Sequence, residues 1–214
     1  MADDKYLHIV RQCEKYLGEH GDTCQGVGWP KEEDAGARYR VMLDVIRDRS
    51  RKNTLLDLGC GCSHFLDFIK KNGITGIEYS GLDLSDKFLE LSRAKYPHVT
   101  YYKADILSQD LAARFDYVIM NGIFTQKVDL SFDEMLGYFK KMIPKAFAIC
   151  DEGVAFNVMA KQVDWERDDL FHLPLSTLAE FLAGEVSRHF VIRHDYGLYE
   201  YTVYLYKRPS RQLL

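Results

Sequence analysis

The stretch Leu55-Leu56-Asp57-Leu58-Gly59-Cys60-Gly61-Cys62-Ser63 decides the fold, because an apolar run here ends in a carboxylate and a turn with two glycines. The apolar residues predict a buried strand, Gly59 and Gly61 can adopt positive φ, and Ser63 can cap a following helix. Such a turn lets a ligand approach both the backbone and the helix N-terminus. A dinucleotide fingerprint would need a third glycine where the chain has His64, so we expect a ligand other than a tightly packed pyrophosphate.

Three further segments repeat the pattern of an apolar run that ends in polar residues. Asp83 lies 22 residues beyond Gly61, close to the roughly 20 expected for an acid that accepts both ribose hydroxyls of a nucleotide. The segments are Tyr79–Ser85, Tyr101–Ile106 and Phe115–Gly122, which end near Asp83, Asp105 and Asn121.

In this order and spacing, the four segments resemble the class I S-adenosylmethionine-dependent methyltransferases. The resemblance implies that Asp83 binds the ribose, that Asp105 holds the adenine amino group and that the fourth segment ends beside the reacting methyl group. It also implies S-adenosyl-L-methionine as the cofactor and S-adenosyl-L-homocysteine as the product, and the chemistry requires no metal. The residues expected to bind the cofactor are Trp29, Arg38, Asp57, Gly59, Cys60, Gly61, Asp83, Leu84, Asp105, Ile106, Asn121 and Gly122.

Two helices are predicted before the glycine turn. An apolar stripe at helical spacing, from Tyr6 to Leu17, predicts an opening helix that packs on the body, and a second helix should span about residues 34–49. In the resembled family, added N-terminal helices often cover the bound cofactor. Arg38 could then pair with the cofactor's methionine carboxylate through a bidentate bond, with an ordinary solvated helix charge as the alternative.

The remaining pattern predicts an α/β fold with a doubly wound, mostly parallel sheet and helices on both faces. Residues 132–142 should form a helix, residues 146–150 a strand, and residues 189–194 and 199–206 a terminal hairpin. The resemblance implies seven strands, the C-terminal one antiparallel. We expect one domain over residues 1–214, with a helical cap at 1–51 and a Rossmann-like core at 52–207.

Composition restricts the partners. A net charge of −4 and a pI near 6.0 oppose a broad phosphate-binding face, so nucleic acid is not expected as substrate. Five cysteines are most simply free thiols in a reducing compartment, and Cys60 and Cys62 alone do not make a metal site. No signal peptide or membrane-spanning run is recognised. We therefore expect a cytoplasmic monomer or homodimer that acts on a small molecule without membrane attachment.

The acceptor is predicted only coarsely. Asn121-Gly122-Ile123-Phe124 lacks both prolines of the element used by methyltransferases that act on amines of bases or glutamine. This leaves an O or N atom of a small molecule, with residues 157–175 as a mobile lid. A non-enzymatic S-adenosylmethionine-binding module and an NAD-dependent oxidoreductase are the alternatives. The candidate bases are His172 and His64, and the candidate substrate contacts are Phe124, Trp165, His172 and Tyr199.

Overall fold

Strands and helices alternate along the chain, of which the computed structural model describes residues 4–210. The helices are α1 (Leu7–His20), α2 (Glu32–Leu43), α3 (His64–Lys71), α4 (Asp86–Lys95), α5 (Phe132–Ala148) and α6 (Leu175–Phe181). The strands are β1 (Asn53–Leu58), β2 (Ile77–Asp83), β3 (Thr100–Lys103), β4 (Phe115–Phe124), β5 (Cys150–Ala160), β6 (His172–Leu173), β7 (Phe190–Arg193) and β8 (Glu200–Tyr206).

One sheet runs in the order β3-β2-β1-β4-β5-β8-β7, with the short β6 beside β5. The strands from β3 to β5 are parallel, whereas β8 is antiparallel to both β5 and β7. The α/β fold with a mostly parallel sheet and an antiparallel C-terminal strand is therefore confirmed. Within residues 4–210 the sheet has eight strands rather than the predicted seven, because β6 adds a short strand beside β5. The strand order reverses between β1 and β4, and this is the place where open α/β sheets bind ligands.

The core lies on both faces of the sheet, because successive strand residues point to opposite sides. On β4, Val118 and Met120 pack with α5 and α6 on one face, whereas Tyr117 and Ile119 pack with α2 and α3 on the other. Each face is therefore covered by helices. Within residues 4–210, no helix combines the length and the apolar character that a membrane span requires.

Three predicted boundaries are wrong. The second helix ends at Leu43 rather than near residue 49, although Val45 and Ile46 remain buried in the turn that follows. Residues 146–148 belong to α5 rather than to a strand, because Ala146 continues the buried face of that helix past Pro144. The predicted lid at 157–175 begins inside β5 and includes β6, so only its middle is irregular.

Candidate active site

A cavity of about 1250 Å³, open mouth included, lies at the carboxyl edge of β1, β2, β3 and β4. Of the predicted cofactor residues, Arg38 is the one that does not line it. The residues that do are Trp29, Asp57, Gly59, Cys60, Gly61, Asp83, Leu84, Asp105, Ile106, Asn121 and Gly122.

The glycine turn after β1 is held in place by Asp83. Gly59 and Gly61 have φ of 79° and 50°, a conformation that costs glycine little. The Asp83 carboxylate accepts the N–H of Gly61 at Oδ2 (2.9 Å) and the N–H of Ser85 at Oδ1 (2.9 Å). Asp83 therefore organises the turn as well as facing the cavity, and burial raises its pKa.

Ser63 does not cap α3, contrary to the sequence prediction. Its backbone is left-handed, with a φ of 60°, whereas a capping residue usually has an extended backbone. The hydroxyl instead donates to Ser92 Oγ on α4 at 2.8 Å and lies 2.9 Å from the Tyr101 hydroxyl on β3.

Asp57 is the most buried carboxylate on the cavity wall, with 3% of its surface exposed. The Tyr79 hydroxyl donates to Asp57 Oδ2 at 2.8 Å. Burial raises the pKa of Asp57 to about 7 against the opposing effect of this hydrogen bond, and the Asp83 charge adds to the rise. A cationic ligand would relieve the cost of ionising this group.

The first helix covers the side of the cavity at Asp105. Tyr6, Ile9, Val10 and Cys13 line the cavity, and the Tyr6 hydroxyl donates to Asp105 Oδ2 at 2.5 Å. The apolar stripe of α1 indicated that one face of this helix is covered. The stripe could not show that the face borders a cavity.

Arg38 is placed differently from the prediction. Its guanidinium makes a bidentate contact with the buried Glu200, and it stacks over the Trp29 ring at 4.0 Å from the centroid. The side chain is neither a solvated helix charge nor a group on the cavity wall, because the Glu200 carboxylate on β8 binds it inside the protein.

The predicted substrate contacts do not meet at the cavity. Phe124 lies in the core against Phe139 and Phe156, because β4 continues past Asn121 and turns this side chain inwards. Two more of the predicted contacts, Trp165 and Tyr199, are 69% and 68% exposed and do not line the cavity.

The two candidate bases have partners of their own. His172 is buried in β6 with Nδ1 2.6 Å from the carbonyl oxygen of Ala160, away from the cavity. This location is inconsistent with its predicted roles as base and substrate contact. His64 does line the cavity, and its Nε2 lies 2.7 Å from Asp22 Oδ1.

Cys62 joins His64 and Asp22 in a cluster whose donor atoms lie within 4.8 Å of one another. The Lys95 ammonium lies 3.2 Å from Asp22, so a metal ion here would face a resident positive charge. Burial raises the pKa of the Cys62 thiol to about 12. The thiol is therefore protonated near neutral pH.

The cavity fits a nucleoside with a cationic amino acid. Three carboxylates, of Asp57, Asp83 and Asp105, face it from three strand ends. Asn121 Oδ1 is buried on its wall and accepts no hydrogen bond from the described residues, so a ligand donor can satisfy it. A Cβ at Gly122 would lie 2.6 Å from the Trp29 ring, so the wall has no room for a larger residue.

The sequence and the fold are similar to those of several methyltransferases. A family model described as a methyltransferase domain matches residues 56–142. The putative methyltransferase Rv1506c of Mycobacterium tuberculosis is 27% identical over 154 residues, which are 71% of this chain and 91% of that protein. Trans-aconitate 2-methyltransferase of Rhizobium rhizogenes is 33% identical over 90 residues, which are 41% of this chain and 34% of that protein.

A solved structure supports the fold. It is the 1,6-didemethyltoxoflavin-N1-methyltransferase of Burkholderia thailandensis, crystallised with 1,6-didemethyltoxoflavin and S-adenosylhomocysteine. The two chains share 16% identity with a TM-score of 0.63 over 98% of this chain and 92% of the other. The matched domain contains the glycine turn and the ends of β2, β3 and β4. The chain therefore contains a methyltransferase domain at residues 56–142 and is an enzyme that uses S-adenosyl-L-methionine, with the fold of the class I methyltransferases.

Proposed function

We propose that the enzyme transfers the methyl group to an O or N atom of a small molecule and that the cofactor occupies the cavity at the carboxyl edge of the sheet. The observation that carries the placement is the convergence of Asp57, Asp83 and Asp105 with the unpartnered oxygen of Asn121. These groups accept hydrogen bonds, and the cofactor offers ribose hydroxyls, an adenine amino group and an ammonium group as donors.

When bound, the cofactor supplies both the methyl group and its leaving group, so the chain's main task is orientation. Asp83 holds the ribose while it also fixes the glycine turn. Asp57 faces the positively charged amino acid portion. The α1 helix, which Tyr6 attaches to Asp105, excludes water from the adenine side.

A small acceptor is supported by two observations. The net charge of −4 disfavours a polyanionic substrate. Two similar proteins are named for small molecules, trans-aconitate in one case and a toxoflavin precursor in the other.

The nucleophile determines what base is needed. A neutral amine attacks with its own lone pair, whereas a hydroxyl benefits from a general base. Within residues 4–210, His64 is the histidine on the cavity wall, and it is paired with Asp22. A pH–rate profile that loses its low-pH limb in His64→Gln would favour a hydroxyl acceptor.

The proposal is tested by incubating the purified protein with S-adenosyl-L-methionine and separate pools of carboxylic acids, amino sugars and nitrogen heterocycles. Formation of S-adenosyl-L-homocysteine is measured against a sample without acceptor, with Asp83→Asn as the binding-deficient control. We expect turnover with at least one pool. Turnover with RNA, DNA or protein, and with none of the small-molecule pools, would overturn the acceptor assignment.

A further inference from the structure

We infer that a buried ring of contacts through Trp29, Arg38, Glu200, Asn157 and Gly122 positions the cavity wall beside the transferred methyl group. Glu200 and Asn157 are then positioning residues for the reaction, although neither lines the cavity. The inference rests on the proposed placement of the cofactor in this cavity, and on the position of its methyl group beside the end of β4 that the family resemblance implies.

The first link is an ion pair between the N-terminal cap and the last strand. Arg38 Nε lies 3.0 and 2.9 Å from the two carboxylate oxygens of Glu200, and Nη2 lies 2.8 Å from Oε2. The two side chains are 10% and 0% exposed. Water therefore contributes little screening, and neither charge can be removed alone without leaving the other buried and unpaired.

The second link runs from Glu200 to the end of β4. Asn157 Nδ2 donates to Glu200 Oε1 at 2.9 Å, and Asn157 Oδ1 accepts the N–H of Gly122 at 2.8 Å. The Asn157 amide thus joins the carboxylate to the backbone at Gly122. Gly122 has a φ of 91°, so its peptide is held in a conformation that few other residues adopt.

The third link closes the ring through Trp29. The Arg38 guanidinium stacks over the indole at 4.0 Å from the ring centroid. The far edge of the indole contacts Gly122 so closely that a Cβ there would lie 2.6 Å from Cζ2 of the ring. Trp29 and Gly122 are the two members of the ring that line the cavity.

Trp29 and Gly122, which both line the cavity, therefore depend on the same ion pair between Arg38 and Glu200. If Arg38 moves, Trp29 loses the cation that stacks on its ring. Glu200 loses its ion-pair partner, and its carboxylate no longer holds the Asn157 amide in place. A purely structural ion pair predicts otherwise, because replacing both charges by apolar residues of similar size often restores stability. Stability and wall geometry can therefore be separated by experiment.

The test compares the double variant Arg38→Met/Glu200→Leu with wild type for thermal unfolding and for binding two ligands. One ligand is S-adenosyl-L-homocysteine, which lacks the methyl group. The other is sinefungin, an analogue with an amino-bearing carbon at the place of the methyl sulfonium. The exposed pair Arg114 and Asp151, replaced in the same way, is the matched control.

We expect the double variant to remain folded, with a lower unfolding temperature only because Asn157 Nδ2 loses its acceptor. Its affinity for sinefungin should fall at least about tenfold further than its affinity for S-adenosyl-L-homocysteine. The control should leave both affinities unchanged. An unchanged ratio of the two affinities in a folded double variant would overturn the inference. Failure of the wild type to bind either ligand would instead contradict the proposed cofactor site.

Arg38→Lys decides the question if the double variant does not fold. Lys retains the charge near Glu200 but lacks the planar guanidinium that stacks on Trp29. In a Trp165→Phe background, Trp29 is the one tryptophan of the chain. There Arg38→Lys should shift the tryptophan emission spectrum and lower the affinity for sinefungin relative to that for S-adenosyl-L-homocysteine. An unchanged spectrum together with an unchanged ratio would overturn the inference.

Discussion

Replacement of Asp57 by asparagine should stabilise the ligand-free protein at neutral pH. Burial raises the pKa of Asp57 from 3.8 to about 7. The shift of roughly three units corresponds to about 4 kcal/mol at most, since each unit is about 1.4 kcal/mol. The folded protein therefore resists ionisation of this carboxyl group more than the unfolded chain does.

The sign of the pH dependence follows from the raised pKa. The neutral carboxyl group contributes its full stability below about pH 4, and this contribution is lost as the pH rises through about 7. The asparagine side chain of the variant does not titrate, and its oxygen can still accept the Tyr79 hydroxyl. The stability of the variant relative to wild type should therefore increase by about 2–4 kcal/mol between pH 5 and pH 8.

Urea unfolding of both proteins at several pH values measures this difference. Asp110→Asn, at an exposed carboxylate, controls for the general loss of a negative charge. A stability difference between Asp57→Asn and wild type that does not change with pH would refute the reasoning. Asp57→Asn should also weaken S-adenosyl-L-homocysteine binding about tenfold, because a charged acceptor beside the ligand ammonium group is lost.

Three further substitutions test the wall of the cavity. Asp83→Asn should weaken S-adenosyl-L-homocysteine binding in calorimetry at least about tenfold and lower the free energy of unfolding by about 1–3 kcal/mol. The reason is that an NH2 group replaces one of the two oxygens that accept the N–H groups of Gly61 and Ser85. An unchanged affinity would contradict the ribose assignment. Gly61→Val should abolish binding because a β-branched residue is strained at φ 50°, and retained binding would show that the turn does not cradle the cofactor. Tyr6→Phe removes the hydroxyl from Asp105 and should speed amide exchange in α1, whereas unchanged exchange would show that this bond does not hold the helix.

The parts that could be predicted from sequence have local signals. The glycine turn and the acidic residue Asp83 stand at the ends of apolar runs, so their positions follow from strand periodicity and the direction of parallel strands. The terminal hairpin could also be predicted from a local signal, because two β-rich runs flank a turn that contains Gly197. These signals come from residues that are neighbours along the chain.

The parts that could not be predicted depend on distant partners. Arg38 and Glu200 are 162 residues apart, and nothing near either residue indicates the pairing. The sequence predicts Phe124 at the substrate because the apolar run of β4 predicts a strand that ends at Asn121. It predicts His172 in a polar loop, although the segment returns to the sheet beside β5 as β6. Polar composition near a site does not reveal which side chains the sheet buries.

A crystal structure of the protein with S-adenosyl-L-homocysteine tests the central claim most directly. We expect the ribose hydroxyls within hydrogen-bond distance of Asp83, the adenine amino group at Asp105, and the ligand ammonium group near Asp57 and Asn121. Ligand density elsewhere on the chain, or a ligand in the cavity with its ribose away from Asp83, would contradict this placement.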